Sequence, residues 1–168
     1  MNATDLQPEH EDTSSTHNPS DGLHLTLGIA SVEPAPSRGW SQLLPDPQLA
    51  LRLWTTFVAN VDPLLKILHI PTTQSAMINL IADPSGRDAS LGALAFSIYF
   101  ASTTSLDDDE IAAISPDSRP TLLRRYRDGL NQVIMEGNLL NKPDVTSLQA
   151  ITIFAVRLSM YTNCSWRL

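Results

Sequence analysis

Cysteine is almost absent from this chain: Cys164 is the single one among 168 residues. One cysteine cannot form an intramolecular disulfide, and it cannot build a zinc site from cysteine ligands. The sequence also lacks the glycine-rich phosphate loop, the nucleophile elbow and the paired histidines that mark common enzyme classes. We therefore expect no catalytic, cofactor-binding or metal-binding residue in this chain.

Charge and long apolar runs are also scarce. Charged residues make up 17% of the chain, against about 25% in an average protein, and the net charge is -7. The longest apolar stretch, Ala150 to Leu158, is interrupted by Thr152 and Arg157 and is far shorter than the ~20 residues that span a bilayer. The polar, acidic N-terminus does not resemble a secretory signal. We expect an intracellular protein that does not enter a membrane and does not bind nucleic acid directly, because phosphate affinity comes largely from Lys and Arg.

The first 39 residues differ in composition from the rest. No Lys or Arg precedes Arg38, and the acidic residues there stand among Ser, Thr, Asn and Pro. Such a segment buries too little apolar surface to offset its chain entropy, so residues 1–39 are predicted to be a disordered acidic tail. Leucines and one isoleucine occupy alternate positions over residues 23–29, a pattern typical of a strand. Without a partner strand, this segment is interpreted as a linker or a short docking segment.

Helical patterns begin near Trp40. Asp46 followed by Pro47 predicts a helix start, with the aspartate as N-cap and the proline at the first helical position. Apolar residues then repeat at helical spacing as far as Val61, which predicts one long buried helix.

Asp62-Pro63 repeats the same start signal. We expect a turn here, with the Asp62 carboxylate capping a short helix over residues 64–70. Pro71 is expected to end that short helix, and one of the two threonines after it to cap the next.

Beyond this point the chain continues to predict helices. Apolar residues surround the axis over residues 89–102, as in a central helix, and Asp107, Ser118 and Asp144 mark further starts. The predicted fold is all-α, an irregular multi-helix array over residues 40–158, with residues 159–168 as an atypical C-terminal end. Because the helices near residues 91–100 and 150–158 are apolar on more than one face, the core is expected to be incomplete and to expose apolar patches.

Three groups of charged side chains have both a functional and a structural interpretation. The carboxylates of residues 107–110 suggest a cation site, but consecutive side chains diverge, and a solvated helix start is the simpler interpretation. Arg124, Arg125 and Arg127 suggest a phosphate contact, but acidic residues follow, and a charged solvent face or a salt bridge within the domain is the simpler interpretation. His69 is expected at a helix C-terminus, where an imidazolium interacts favourably with the helix dipole. The large aromatic side chains are interpreted as core: Trp54, Phe96, Tyr99 and Phe100.

Three stretches resemble, in order and in separation, the regulatory domain of fungal transcription factors, also called the middle homology region of zinc binuclear cluster regulators. The first stretch, residues 44–72, contains Asn-Val-Asp-Pro-Leu and Leu-His-Ile-Pro-Thr. The second is residues 93–106, and the third is residues 123–150. The resemblance covers roughly residues 40–158 and corresponds to the N-terminal part of that domain only.

This resemblance implies a nuclear protein that regulates transcription through protein contacts or in response to an effector, without catalysis. In the family, six cysteines hold two zinc ions and place a helix on DNA. That cluster is missing from this chain, so zinc is not expected as its cofactor. The expected partners are proteins, either a full-length regulator or the transcription machinery. A truncated gene product or a dedicated short paralogue would explain why the match is partial.

Two alternatives remain open from the sequence: a free-standing helical protein that binds and blocks a full-length relative, and a non-functional fragment of a larger regulator. An enzyme is the weakest alternative, because it would require an unrecognised constellation such as His69 facing an acid across the fold.

Overall fold

The computed structural model describes residues 39–84 and 88–165, with side chains as far as Thr162. These residues form helices and connecting turns without a strand, so the predicted all-α class is confirmed. Residues 1–38 of the predicted tail, including residues 23–29, lie outside the described residues. A 3-10 helix is followed by seven α-helices and one π-helical turn in the described part: Trp40–Leu43, α1 Pro47–Thr56, the π turn Phe57–Val61, α2 Asp62–Leu65, α3 Ile70–Ala82, α4 Ala89–Ser105, α5 Asp108–Ile114, α6 Arg119–Glu136 and α7 Val145–Ser165.

Helix α4 lies at the centre of the domain, as the sequence predicts. Every residue from Gly92 to Thr103 is buried. Helices α6 and α7 pack along it, and α1, the π turn and α3 also contact it. The predicted aromatic core is confirmed, since all four of those side chains belong to one cluster of buried residues.

The expectation of an incomplete core is wrong for α4, because α6 and α7 return from later in the chain to cover it. It is not met over residues 150–158 of α7 either, where no large apolar side chain is exposed; the exposed ones lie elsewhere on that helix. Phe154 on that helix is fully buried, whereas Val145 is 72% exposed and Leu148 is 52% exposed. An apolar pattern shows that a helix is surrounded, but it does not show which segment of the chain surrounds it.

A buried hydroxyl joins α4 to α1. The Ser102 Oγ donates to the carbonyl oxygen of Leu53 at 2.7 Å and lies 2.8 Å from the carbonyl oxygen of Ile98. The Leu53 carbonyl also accepts the N–H of Phe57, where the π turn begins. This hydrogen bond fixes the position of α4 relative to the end of α1.

Several helix starts form as predicted. The Asp46 carboxylate accepts hydrogen bonds from the N–H groups of Gln48 and Leu49 at 3.0 and 3.1 Å. Asp107 and Glu110 form a reciprocal capping box at the start of α5. These caps form between residues at most three positions apart, which explains why the sequence predicts them.

The start of α7 is capped from both sides. The Asp144 carboxylate accepts the N–H of Ser147 at 2.7 Å, and the Ser147 Oγ accepts the N–H of Asp144 at 2.9 Å. The hydrogen bond from the Ser147 N–H holds the pKa of Asp144 below its usual value of 3.8. Asp88, which was not predicted as a cap, caps α4 by accepting the N–H of Leu91 at 3.0 Å.

The predicted turn and cap at Asp62 are wrong. The chain stays helical from α1 through the π turn into α2, and the Asp62 N–H bonds to the carbonyl oxygen of Phe57. Pro63 has no N–H to donate, and its ring would clash with a carbonyl of a regular α-turn. A wider π turn relieves that clash without ending the helix. The buried side chains of Phe57 and Val61 hold this segment against the core.

The Asp62 side chain is buried instead of capping a helix. It is 4% exposed, its Oδ2 lies 3.2 Å from the Nζ of Lys66, and its Oδ1 has no hydrogen-bond partner. Lys66 ends α2 in the left-handed conformation, with φ of 49°. Its own side chain is 73% exposed, so the salt bridge faces solvent on one side.

We expect Asp62→Ala to change the free energy of unfolding by less than about 1 kcal/mol. An ion pair with an exposed lysine contributes about 0–1 kcal/mol, and removing an unpaired buried oxygen offsets part of that loss. Asp46→Ala is the matched control, because it removes a true N-cap and should cost about 1 kcal/mol. Urea unfolding followed by circular dichroism measures both. A larger loss for Asp62→Ala than for Asp46→Ala would contradict this account.

The prediction for Pro71 is also wrong. Helix α2 already ends at Leu65, and Pro71 lies in the first turn of α3, with His69 as the N-cap residue. A proline is well tolerated there, because the first N–H groups of a helix have no intrahelical acceptor. No side chain caps the start of α3 by a hydrogen bond.

Candidate functional site

Two arginines from different helices meet at the C-terminal end of α4. Arg119, at the start of α6, donates from Nε to the carbonyl oxygen of Thr103 at 3.2 Å and from Nη2 to that of Thr104 at 3.1 Å. Arg157, on α7, donates from Nε to the Thr104 Oγ1 at 3.1 Å. Thr104 therefore contacts both guanidinium groups, and Arg119 with Arg157 is called the arginine pair below.

Arg157 is 8% exposed. This burial lowers the pKa of its guanidinium, although an arginine keeps its charge in proteins. Buried charges are usually paired, because removal from water is costly. The ion pairs found among residues 39–84 and 88–162 do not include either member of the arginine pair.

The aromatic ring of Tyr161 packs against Arg119, one member of the arginine pair. The Cζ of Arg119 lies 5.6 Å from the ring centroid, within the range of a cation–π interaction. Tyr161 is one turn beyond Arg157 on α7. Helices α4, α6 and α7 thus all contribute to this cluster.

A surface groove of about 460 Å³ adjoins Arg119. It lies between α5 and the start of α6, and its lining includes Ile111, Pro116 and Pro120. Two carboxylates, those of Asp108 and Asp117, also line it. The groove is therefore partly apolar, with one guanidinium and two acidic groups around it.

The basic patch noted in the sequence forms ion pairs. Arg125 Nη1 lies 3.3 Å from Asp117 Oδ2, and Arg127 Nε lies 3.7 Å from Asp128 Oδ1. This confirms the salt-bridge interpretation for these two residues. The arginine pair was missed, because Arg119 and Arg157 are far apart in sequence and no local pattern connects them.

The other candidate residues from the sequence, the ends of the acidic run and His69, make local hydrogen bonds within the fold. The Asp107 and Glu110 carboxylates bond to backbone N–H groups in their capping box. In the described part of the chain, no three His, Cys, Asp or Glu side chains are grouped to hold a metal ion. His69 is exposed, and its Nδ1 lies 2.8 Å from the Thr72 Oγ1. It lies at the N-terminal end of α3, so the expected interaction with a helix C-terminus is wrong.

Some core polar atoms lack partners. Besides the Asp62 Oδ1, these are the Tyr126 hydroxyl and the Asn131 Oδ1. The Tyr126 ring lies 5.6 Å from that of Tyr99, and burial raises the pKa of both phenols. Neither tyrosine lines the groove beside Arg119.

The fold defines a small helical domain whose charged side chains form caps, ion pairs and the arginine pair. Three curated relatives are similar to it. Transcriptional regulator nsrM of Aspergillus novofumigatus is 32% identical over 94% of this chain and 24% of its own length. Pyriculol/pyriculariol biosynthesis cluster transcription factor 1 of Pyricularia oryzae is 31% identical over 88% of the chain and 20% of its own length. C6 finger domain transcription factor nscR of Arthroderma gypseum is 30% identical over 87% of the chain and 22% of its own length.

The chain is therefore homologous to a segment of the fungal C6 transcription regulators, which confirms the resemblance found in the sequence. It spans 20% to 24% of the length of these three relatives. No family profile and no solved structure matches the sequence. Within the described residues, no helix is both long and apolar enough to cross a membrane.

Proposed function

We propose that this chain is a helical regulatory domain that takes part in transcription control through protein contacts or in response to an effector, without catalysis. The similarity to a transcriptional regulator over 94% of the chain carries this proposal. The chain's own composition supports a regulatory role that is separate from DNA binding. A single cysteine cannot supply the six that hold the family's two zinc ions, so DNA reading belongs to another module.

The proposal places the chain in the nucleus, with protein partners. These partners are a full-length regulator or the transcription machinery. Zinc is not a cofactor of this chain, because its ligands in the family are the clustered cysteines. The net charge of -7 supports a role apart from the DNA backbone, since binding to phosphates needs an excess of Lys and Arg.

A tethering experiment tests the regulatory role. The full chain is fused to an unrelated DNA-binding module, and transcription of a reporter carrying that module's site is measured. We expect the fusion to raise or lower reporter output relative to the module alone. The control fusion carries Phe96→Ala with Phe154→Ala, which should disrupt the core without touching the surface. Equal output from all three proteins, at equal abundance on an immunoblot, would overturn the proposal.

A binding assay tests the absence of DNA reading. We expect the purified chain to show no sequence-dependent affinity for duplex DNA at physiological salt. Specific protein–DNA complexes commonly have a Kd of about 10⁻⁸ to 10⁻¹¹ M. Affinity in that range for one sequence over scrambled duplexes would show that the chain reads DNA by itself.

A further inference from the structure

We propose that the arginine pair is a binding site for an organic carboxylate, held by the guanidinium groups of Arg119 and Arg157. The inference concerns binding alone and stands whether or not the chain acts in transcription. It rests on the mostly buried Arg157, which has no carboxylate partner among the described residues, on a second cation beside it, and on the groove that Arg119, though not Arg157, lines.

Most N–H donors of Arg157 have no protein acceptor within the described residues, and they are not among the buried polar atoms without a partner, so they face solvent. An arginine has five N–H donors, and within the described residues Arg157 donates from Nε alone, to the Thr104 Oγ1. That hydroxyl donates its own proton to the carbonyl oxygen of Ala101 at 2.7 Å, so it is a neutral acceptor for the guanidinium. A neutral oxygen orients the arginine but does not offset its charge. The Nη groups remain available to a planar oxyanion, which arginine binds through two parallel hydrogen bonds.

Arg119 adds a second positive charge that is offset only in part. Its acceptors are the carbonyl oxygens of Thr103 and Thr104 at the end of α4. A helix C-terminus carries about half an elementary negative charge, which is less than the two positive charges beside it. The ring of Tyr161 lies over the Arg119 guanidinium and restricts its orientation.

The carboxylates of neighbouring elements do not neutralise the arginine pair. Asp117 pairs with Arg125 at 3.3 Å, and Asp107 and Glu110 bond to the backbone in the capping box of α5. Asp108 lines the groove together with Arg119. It would repel a phosphate, which carries about 1.5 to 2 negative charges at neutral pH, more than a carboxylate with one. The groove side chains Ile111, Pro116 and Pro120 provide apolar contacts for the body of an organic acid.

The test is a titration of the purified full chain at constant ionic strength with three probes: benzoate, its neutral analogue benzamide, and inorganic phosphate. We expect benzoate to bind at one saturable site in calorimetry. It should also raise the thermal unfolding midpoint with concentration, as a ligand specific to the folded state does. Benzamide should do neither, and phosphate should bind more weakly than benzoate.

Three variants locate the site. Arg157→Met retains an unbranched aliphatic stem but removes the charged guanidinium. Arg119→Gln removes the second guanidinium. Each should weaken benzoate binding about tenfold, the loss expected when hydrogen bonds to a charged group are removed. Arg125→Gln is the matched control, because that guanidinium already pairs with Asp117, and its affinity should stay near that of the parent chain.

The outcomes separate binding from a purely structural role. Without ligand, Arg157→Met should be as stable as the parent chain, since replacing a buried charge by an apolar side chain is often neutral or stabilising. If that variant does not fold, Arg157→Lys keeps the charge but loses the planar fork and should still bind benzoate more weakly. Absence of saturable benzoate binding, or unchanged affinity in both Arg157 variants, would overturn the proposal. Tighter binding of phosphate or benzamide than of benzoate would overturn the assignment to a carboxylate.

Discussion

Phe154→Ala is expected to lower the free energy of unfolding by about 3–5 kcal/mol, the usual loss for truncating a fully buried phenylalanine. Phe154 is 0% exposed, and its ring centroid lies 4.7 Å from that of Phe100 on α4. The substitution would leave a cavity between α4 and α7, the pair of helices with the most extensive packing in the described part. Since single domains are stable by only about 5–15 kcal/mol, much of the stability would be lost.

The control for this prediction lies on the same helix. Leu148 is 52% exposed, and Leu148→Ala should change the free energy of unfolding by about 0.5 kcal/mol or less. Urea unfolding monitored by circular dichroism measures both variants against the parent chain. Similar, small losses for the two variants would mean that α7 does not pack on α4 through Phe154.

The second large effect is expected at the contact between α4 and α6. A Cβ atom on Gly129 would lie only 2.4 to 2.8 Å from three ring atoms of Phe96, and Phe96 is 0% exposed. Overpacking of this kind costs about 1–3 kcal/mol, more than the ~1 kcal/mol that alanine gains over glycine in a helix. Gly129→Ala should therefore destabilise the protein.

A double-mutant cycle tests the cause of that loss. In a chain that carries Phe96→Ala, the ring is gone and the added methyl group has space. Gly129→Ala should then be neutral or stabilise the fold by up to about 1 kcal/mol, through helix propensity alone. The effect of one substitution would thus change sign with the other, as expected for residues in direct contact. The same loss in both backgrounds would rule out the contact as its cause.

Close approach also explains the glycine after α6. A Cβ on Gly137 would lie 2.5 Å from the Cβ of Ala89 at the start of α4. The left-handed residue at this helix end is Asn138, with φ of 51°. The sequence pair Gly-Asn correctly predicts that the helix ends here. Gly137 itself is right-handed, with φ of -80°, so the lack of a side chain there serves the close approach to Ala89.

The Asp-Pro pairs show where prediction from sequence fails. Asp46-Pro47 and Asp62-Pro63 have the same local signal, and the first forms the expected cap. The second lies inside a continuous helical segment, because Phe57 and Val61 before it are buried against the core. Their burial stabilises the helical path by more than a new cap would, which has a typical contribution of about 1 kcal/mol.

Sequence patterns could not predict the arginine pair for a related reason. The patch at Arg124, Arg125 and Arg127 is visible as a run, yet two of its members form ion pairs. Arg119 and Arg157 show no common pattern, and Thr104, which both contact, belongs to a third helix. Three helices must pack before this cluster exists.

The sequence by itself determined the all-α class, the helix starts at Asp46, Asp107 and Asp144, the central position of α4 and the kinship with fungal transcription regulators. These follow from interactions between residues a few positions apart, or from similarity along the chain. The tertiary structure alone decided that α6 and α7 cover α4, that the chain stays helical through Asp62 and that two arginines meet at Thr104. Each of these depends on burial between helices distant in sequence, and a local pattern carries no information about which distant segment supplies the contact.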